Sequence, residues 1–325
     1  MTFATRLKTS TRGLGRLALG TALGLAMAAA LLVQPSQAVA QVAAAQPVAP
    51  AAVPRAPGAG PALWVIKDAD STLYLFGTVH VLRPSTAWGS ARVDAAFDSA
   101  SEVYLEITNP DDQAAVVPLI QQYGLSLDRP LSSRLTAEEL ADLNAAAQSM
   151  NTTAAQFEPM KPWLVALTLS VAPLVKAGYD PQSGVELILR ARANAAGKPV
   201  KGLETIDEQI RILAGLSDDT QVAFLRSTLD AFDHATVELD GLVAAWAAGD
   251  VVKIRELGID DLRDESEEVY EALLVNRNTN WAGQIQGLLE GSGTTFIAVG
   301  AAHLAGDDSV QAILAKRGVE VERVE

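Results

Sequence analysis

The sequence predicts an α/β protein: a mixed central sheet begun by an N-terminal hairpin, helices covering it, and a helical insertion in the middle. Three observations carry that expectation. Two β-favouring runs near residue 63 are separated by a short polar stretch, and a continuous β-branched and apolar run, Thr294 to Val299, lies near the far end. Between them the apolar spacing is helical and punctuated by capping signals.

The elements follow in order. Leu63 to Ile66 and Leu73 to Phe76 flank Asp68-Ala69-Asp70-Ser71, a hairpin signal with polar turn chemistry. A helix is expected over Gly89 to Ala100, with Val93, Ala96 and Phe97 on one face, and then a buried strand over Val103 to Ile107 that carries one acid, Glu106. Thr136 and Glu139 form a capping box for a helix through Met150. Trp163 to Lys176 reads as a helix interrupted or kinked at Pro173, and Val185 to Ala196 as another, ended by Gly197-Lys198-Pro199. A short strand at Val200 to Leu203 delivers Glu204, and Thr205 with Glu208 caps the next helix. Further helices cover Thr220 to Ala248 and much of Asp264 to Leu289. The chain then ends as strand (Thr294 to Val299), turn, helix (Ser309 to Lys316) and strand (Val319 to Val324).

The first 60 residues read differently. Arg6, Lys8, Arg12 and Arg16 precede an apolar run from Leu17 to Val33 and the small residues around Ala38 and Ala40, the order of a secretory signal peptide over residues 1–40. Residues 41–60, mostly Ala, Pro, Val and Gln, read as a disordered linker. Residues 61–325 form the expected α/β domain, long enough for a sizeable core. A periplasmic or secreted protein with no integral membrane segment after cleavage is therefore expected.

Net charge is −14, and removing the four basic residues before position 41 takes it to −18. Such an acidic chain is a poor partner for nucleic acid or an anionic membrane face. With no cysteine there is no disulfide, thiol nucleophile or thiolate metal site.

The chemistry is sought at strand ends. Of three histidines, two share one local pattern: Gly77-Thr78-Val79-His80 and Gly300-Ala301-Ala302-His303 each follow an apolar strand with Gly, two small or apolar residues, and His. The glycine is read as letting the backbone turn sharply. Ligands of open α/β sheets bind at the carboxyl ends of strands, where a histidine can act as base, acid or metal ligand. Taken singly, each GxxH is equally a polar cap on a strand end; two in a histidine-poor chain favour one shared site. His234 lacks this context and reads as a solvated or locally bonded residue. Glu106 interrupts an apolar strand, and an acid is seldom buried without a partner. Glu204 is equally placed to cap the helix after it. Arg277 and Trp281, four apart on an expected helix, share a face. They form either an exposed stacked pair or a fixed cation that orients an acid or stabilises an oxyanion.

At these residues the sequence resembles the TraB/PrgY/GumN family, which is grouped with the Tiki proteases and the erythromycin-esterase and ChaN-like proteins. The matching segments are Leu-Tyr-Leu-Phe-Gly-Thr-Val-His at 73–80, Val-Tyr-Leu-Glu at 103–106 and Gly-Lys-Pro-Val-Lys-Gly-Leu-Glu-Thr at 197–205. Asn-Arg-Asn-Thr-Asn-Trp at 276–281 and Val-Gly-Ala-Ala-His-Leu-Ala-Gly at 299–306 complete them. The resemblance implies an α/β fold with His80, Glu106, Arg277 and His303 around one cleft, and Glu204 and Asn278 as further candidates. The chain departs from many relatives at Gly184-Val185-Glu186, where they carry Gly-Val-Asp: the acid is kept, one methylene longer.

Three functions stay open. In the first, a metal-dependent hydrolase of peptide-like substrates, His80, Glu106 and His303 hold a divalent ion (Zn, Fe, Mn or Co) and Arg277 stabilises the developing charge. In the second, an esterase-type hydrolase without metal, His80 is a general base held in its tautomer by Glu106, and His303 aids the leaving group. In the third, the cleft captures a peptide or small envelope ligand without catalysis. The expected partner is thus a peptide or small molecule.

Overall fold

The computed structural model describes residues 53–109 and 112–325. The expected signal peptide, residues 1–40, and residues 41–52 of the expected linker lie outside the described residues.

Six strands form one mixed sheet: β1 (Leu63–Lys67), β2 (Ser71–Thr78), β3 (Glu102–Leu105), β4 (Val200–Gly202), β5 (Gly293–Gly300) and β6 (Glu322–Arg323). The spatial order is β4-β3-β5-β2-β1-β6. Strands β4, β3, β5 and β2 run parallel, and β1 and β6 are antiparallel to their neighbours. The helices are α1 (Ala91–Ser99), α2 (Gln113–Tyr123), α3 (Ala137–Ser149), α4 (Pro162–Lys176), α5 (Val185–Ala195), α6 (Ile206–Ala214) and α7 (Asp218–Ala231). They continue with α8 (Ala235–Ala247), α9 (Val251–Gly258), α10 (Asp260–Glu265), α11 (Glu267–Tyr270), α12 (Asn276–Leu289) and α13 (Val310–Lys316). The fold is the mixed α/β architecture expected, with α2 to α5 as the helical insertion between β3 and β4.

The strand patterns explain the layering. Along β5, Phe296 and Ala298 enter one apolar cluster, while Ile297 and Val299 enter another on the opposite face. In β2, Phe76 joins the first cluster and Leu73 and Leu75 the second. Both sheet faces are therefore buried, as continuous apolar parallel strands require. The first cluster includes Trp88, Trp163, Phe97 and Trp246, with Phe97 edge-on to Phe296 at 5.4 Å. The second lies under α12 and α13 through Trp281, Ile285 and Leu314.

Both capping boxes, Thr136 with Glu139 and Thr205 with Glu208, are present. Other readings need correction. Helix α4 continues through Pro173. The stretch 220–248 divides at Phe232-Asp233-His234 into α7 and α8, leaving His234 exposed. In the final segment only Glu322 and Arg323 pair as strand. The domain also begins before residue 61: Ala56 N–H donates to Gly89 O at 2.9 Å, Gly89 N–H to Pro54 O at 2.8 Å, and Ser90 Oγ to Ala59 O at 2.7 Å. Among the described residues no helix is long and apolar enough to cross a membrane.

Candidate functional site

The parallel register brings the functional ends together. Thr78 of β2 lies opposite Gly300 of β5, and Leu105 of β3 lies opposite both Ala298 and Gly202. The residues just beyond these positions, His80, Glu106, Glu204 and His303, therefore collect at one sheet edge. Past β4 the backbone pairing continues, with Glu204 N–H donating to Glu106 O at 2.9 Å, so the two acids are neighbours. Glu106 is not inside its strand but the first residue after it.

Gly77 acts by close approach. A Cβ at Gly77 would lie 3.1 Å from Ala301 Cα, so the first GxxH segment packs directly on the second. The indole N–H of Trp246 fixes the same place, donating to Gly77 O at 2.7 Å. Gly184 is tighter still: a Cβ there would stand 2.3 Å from the His80 carbonyl oxygen. With Val185 N–H donating to Val79 O at 3.1 Å, this contact seats the N-terminus of α5 against the first motif.

That seating brings in Glu186, in the first turn of α5, where the helix dipole favours an anion. His80 Nδ1 lies 2.8 Å from Glu186 Oε1, both side chains about 9% exposed, and Thr78 Oγ1 donates to the same oxygen. Glu186, not Glu106, thus orients His80. The other ring nitrogen, Nε2, is buried with no hydrogen-bond partner. Burial alone would lower the His80 pKa, but the Glu186 carboxylate and its hydrogen bond, with Glu106 beyond, raise it to about 9. Glu186 responds in the opposite sense: burial favours its neutral form, but the His80 charge and the His80 and Thr78 hydrogen bonds outweigh it and lower the pKa.

Arg277 is the hub of the second group. A π-helical turn, Glu271–Val275, precedes α12 and directs Arg277 inward, a placement π turns often serve at functional sites. Its Nη2 donates to Glu106 Oε2 at 2.7 Å and to Glu204 Oε1, and its Nε to Glu204 at 3.0 Å. Its Nη1 reaches Leu273 O at 3.3 Å and His303 Nε2 at 3.0 Å. A guanidinium has five N–H donors, and all five are engaged. The expected hydrogen bond from Arg277 to a reaction oxyanion therefore has no free donor. Burial lowers the Arg277 pKa, but the Glu106 and Glu204 carboxylates outweigh it and hold the cation above its ordinary value. Burial raises the Glu204 pKa despite Arg277.

His303 is wholly enclosed. Asn278 Nδ2 donates to Asp308 O at 2.8 Å, so its Oδ1 faces His303 Nδ1 at 2.6 Å and accepts from it. That leaves Nε2 as the acceptor for Arg277. Burial, then the positive charges of Arg277 and His80, push the His303 pKa well below its ordinary value, so the ring is neutral. Trp281 packs on it, ring centroids 4.5 Å apart. With Nδ1–H donated to Asn278 and Nε2 accepting from Arg277, His303 has no free proton to hand to a leaving group, against expectation. Asn278→Leu would strand both His303 Nδ1–H and Asp308 O. An expected loss of about 1–3 kcal/mol follows, readable by urea denaturation.

The expected metal set meets the same obstacle. His303 Nε2 lies 3.8 Å from Glu106 Oε1, but it accepts from Arg277. The two Glu106 oxygens accept from Gly300 N–H at 2.7 Å, from Gln209 Nε2 at 3.0 Å and from Arg277. A guanidinium thus stands where a second cation would have to bind. Only His80 Nε2 is a free donor atom, and the three side chains as arranged do not fit an ion. Among the described residues no group of three or more His, Cys, Asp or Glu could hold one. Glu186, Gln209 and Thr78 join the site beyond the expected residues. The retained acid of Gly-Val-Glu pointed to Glu186; nothing in the sequence singles out Gln209.

An α/β sheet edge with paired GxxH histidines around a buried carboxylate–guanidinium cluster defines the class of protein. The TraB/PrgY/gumN family model matches residues 62–323, and the chain belongs to that family. It is 24% identical over 271 residues to a Treponema pallidum (strain Nichols) protein described only as uncharacterized, covering 78% of this chain and 80% of that one. It is 23% identical over 256 residues to the uncharacterized protein YbaP of Escherichia coli (strain K12), covering 78% and 92%. It is 24% identical over 315 residues to the metalloprotease TIKI2 of Danio rerio, covering 80% and 60%. No solved structure matches.

Proposed function

We propose that the chain is a hydrolase of ester or amide bonds, peptide bonds among them, in which His80 is the proton-transfer group and no metal is required. The observation that carries this reading is the dyad: Nδ1 of His80 is fixed by buried Glu186 while Nε2 is buried and unbonded. A base held in one tautomer by a carboxylate, with its second nitrogen free, is the arrangement of a general base. In its neutral form Nε2 takes a proton from water, the oxygen attacks the carbonyl carbon, and the same proton passes to the departing oxygen or nitrogen. Arg277 contributes a fixed positive field behind the site rather than a hydrogen bond to the substrate. The basic, apolar and small-residue order at the start of the chain supports action after export.

The metalloprotease relative favours a second reading, in which an ion assists. Chelation separates the two. Hydrolysis of chromogenic esters and anilides is expected to persist, within about twofold, after exhaustive chelation. Loss of activity that added Zn, Mn, Fe or Co restores would reject the metal-free reading.

A further inference from the structure

The first GxxH motif carries a hydroxyl that the second lacks. In Gly77-Thr78-Val79-His80 the residue after the glycine is Thr78; in Gly300-Ala301-Ala302-His303 it is Ala301. The partners of the two histidines differ in the same sense. His80 Nδ1 faces the Glu186 carboxylate at 2.8 Å, whereas His303 Nδ1 faces the uncharged amide of Asn278 at 2.6 Å. The hydroxyl thus accompanies the histidine whose partner carries a charge.

Thr78 is wholly buried at the end of β2, next to buried Val79. Packing alone would be met by valine, which has nearly the same shape and no donor. A buried hydroxyl calls for a partner, and Thr78 Oγ1 donates to Glu186 Oε1, the same oxygen that faces His80 Nδ1. One carboxylate oxygen therefore takes two donors. A hydrogen bond to a carboxylate favours its charged form and weakens its hold on any other proton. Thr78 and His80 thus draw on the same electron density. Glu106, Arg277 and His303 also act on the His80 ring electrostatically, from other elements, and are tied to one another through Arg277.

We propose that Thr78 is the positioning residue of the His80 base: its hydroxyl holds the shared Glu186 oxygen, turns part of the carboxylate's charge away from the ring, and so leaves Nε2 readier to give up the proton it takes. Without it the carboxylate would serve the imidazolium alone and the base form would be scarcer near neutral pH. The proposal rests on the hydrolytic reading of His80, but the linkage it describes is measurable without a substrate.

Histidine ring resonances of the purified protein, followed by NMR from about pH 6 to 11, give the His80 midpoint directly. His80→Gln assigns it among the three histidines. Thr78→Val should raise that midpoint by about half a pH unit or more, and Thr78→Ser, which keeps the hydroxyl, should restore it. In a Glu186→Gln background the charge is gone, so adding Thr78→Val should move the midpoint little; a purely structural role for Thr78 would not depend on that carboxylate. On chelated protein, kcat/KM for a neutral ester near neutral pH should fall about threefold in Thr78→Val, with a smaller change at the high-pH plateau. Should Thr78→Val fail to fold, Thr78→Ala removes the same donor and is read in the same way. A raised midpoint in a protein that hydrolyses no ester or amide would reject the hydrolytic reading and leave the Thr78–Glu186–His80 linkage standing. A midpoint unchanged or lowered by loss of the hydroxyl, or a rise just as large in the Glu186→Gln background, overturns the proposal.

Discussion

Arg277→Leu is expected to lower stability by about 3–5 kcal/mol, or a melting temperature roughly 10 °C lower for a domain of this size. Two carboxylates, Glu106 and Glu204, share this one guanidinium in a site where all three side chains are about 95% buried. Removing the cation leaves both acids desolvated beside each other and leaves Leu273 O and His303 Nε2 without their donor. Arg277→Lys would keep the charge, but an ammonium has three donors and no planar fork, so only part of the loss should be recovered. The direction with pH is also fixed. Burial already raises the Glu204 pKa in the intact protein, and without the opposing Arg277 charge Glu204 takes up a proton more readily. The deficit should therefore narrow as pH falls from 7 to 5. A deficit below about 1 kcal/mol, independent of pH, would mean that the cluster is not the fixed unit described here.

His80→Gln is expected to reduce kcat/KM for ester hydrolysis by about 10²- to 10⁴-fold, the usual worth of a general base. Glutamine can still donate to Glu186, so the buried carboxylate keeps a partner and the fold is preserved. What disappears is the titratable Nε2. Circular dichroism and the melting curve should stay close to wild type while turnover falls. If turnover survives within about threefold, His80 is not the proton-transfer group.

Much of the architecture was legible because its signals are local. The hairpin, both capping boxes and the buried β5 run each depend on a few neighbouring residues, and each appears where its pattern placed it. Gly77-Thr78-Val79-His80 and Gly300-Ala301-Ala302-His303 were legible as a pair for the same reason, and the register of β2 against β5 explains why they meet.

Roles were less legible than positions, because roles depend on which atoms are already taken. Glu106 looked like the partner of His80, but Gly300, Gln209 and Arg277 claim its oxygens, and the partner is Glu186, 106 residues further along. Arg277 read as a stacked pair with Trp281 or as a fixed cation that orients an acid or stabilises an oxyanion; only a count of its acceptors shows that its donors are spent within the cluster, on Glu106 and Glu204. Helix boundaries failed where no Gly or Pro marks them, as at Phe232-Asp233-His234. Pro173 misled in the other direction, since it does not end α4, which runs on to Lys176.

The most direct test of the central claim is the pH dependence of kcat/KM, measured on chelated protein with a neutral ester. In the free enzyme this quantity follows the base form of His80. Because Glu186 raises the His80 pKa to about 9, activity should climb about tenfold per pH unit above neutrality and level off near that value. In Glu186→Gln the cause of the raised pKa is gone, so the rise should move to lower pH. A profile that is flat between pH 7 and 9, or one that Glu186→Gln does not shift, would contradict the account.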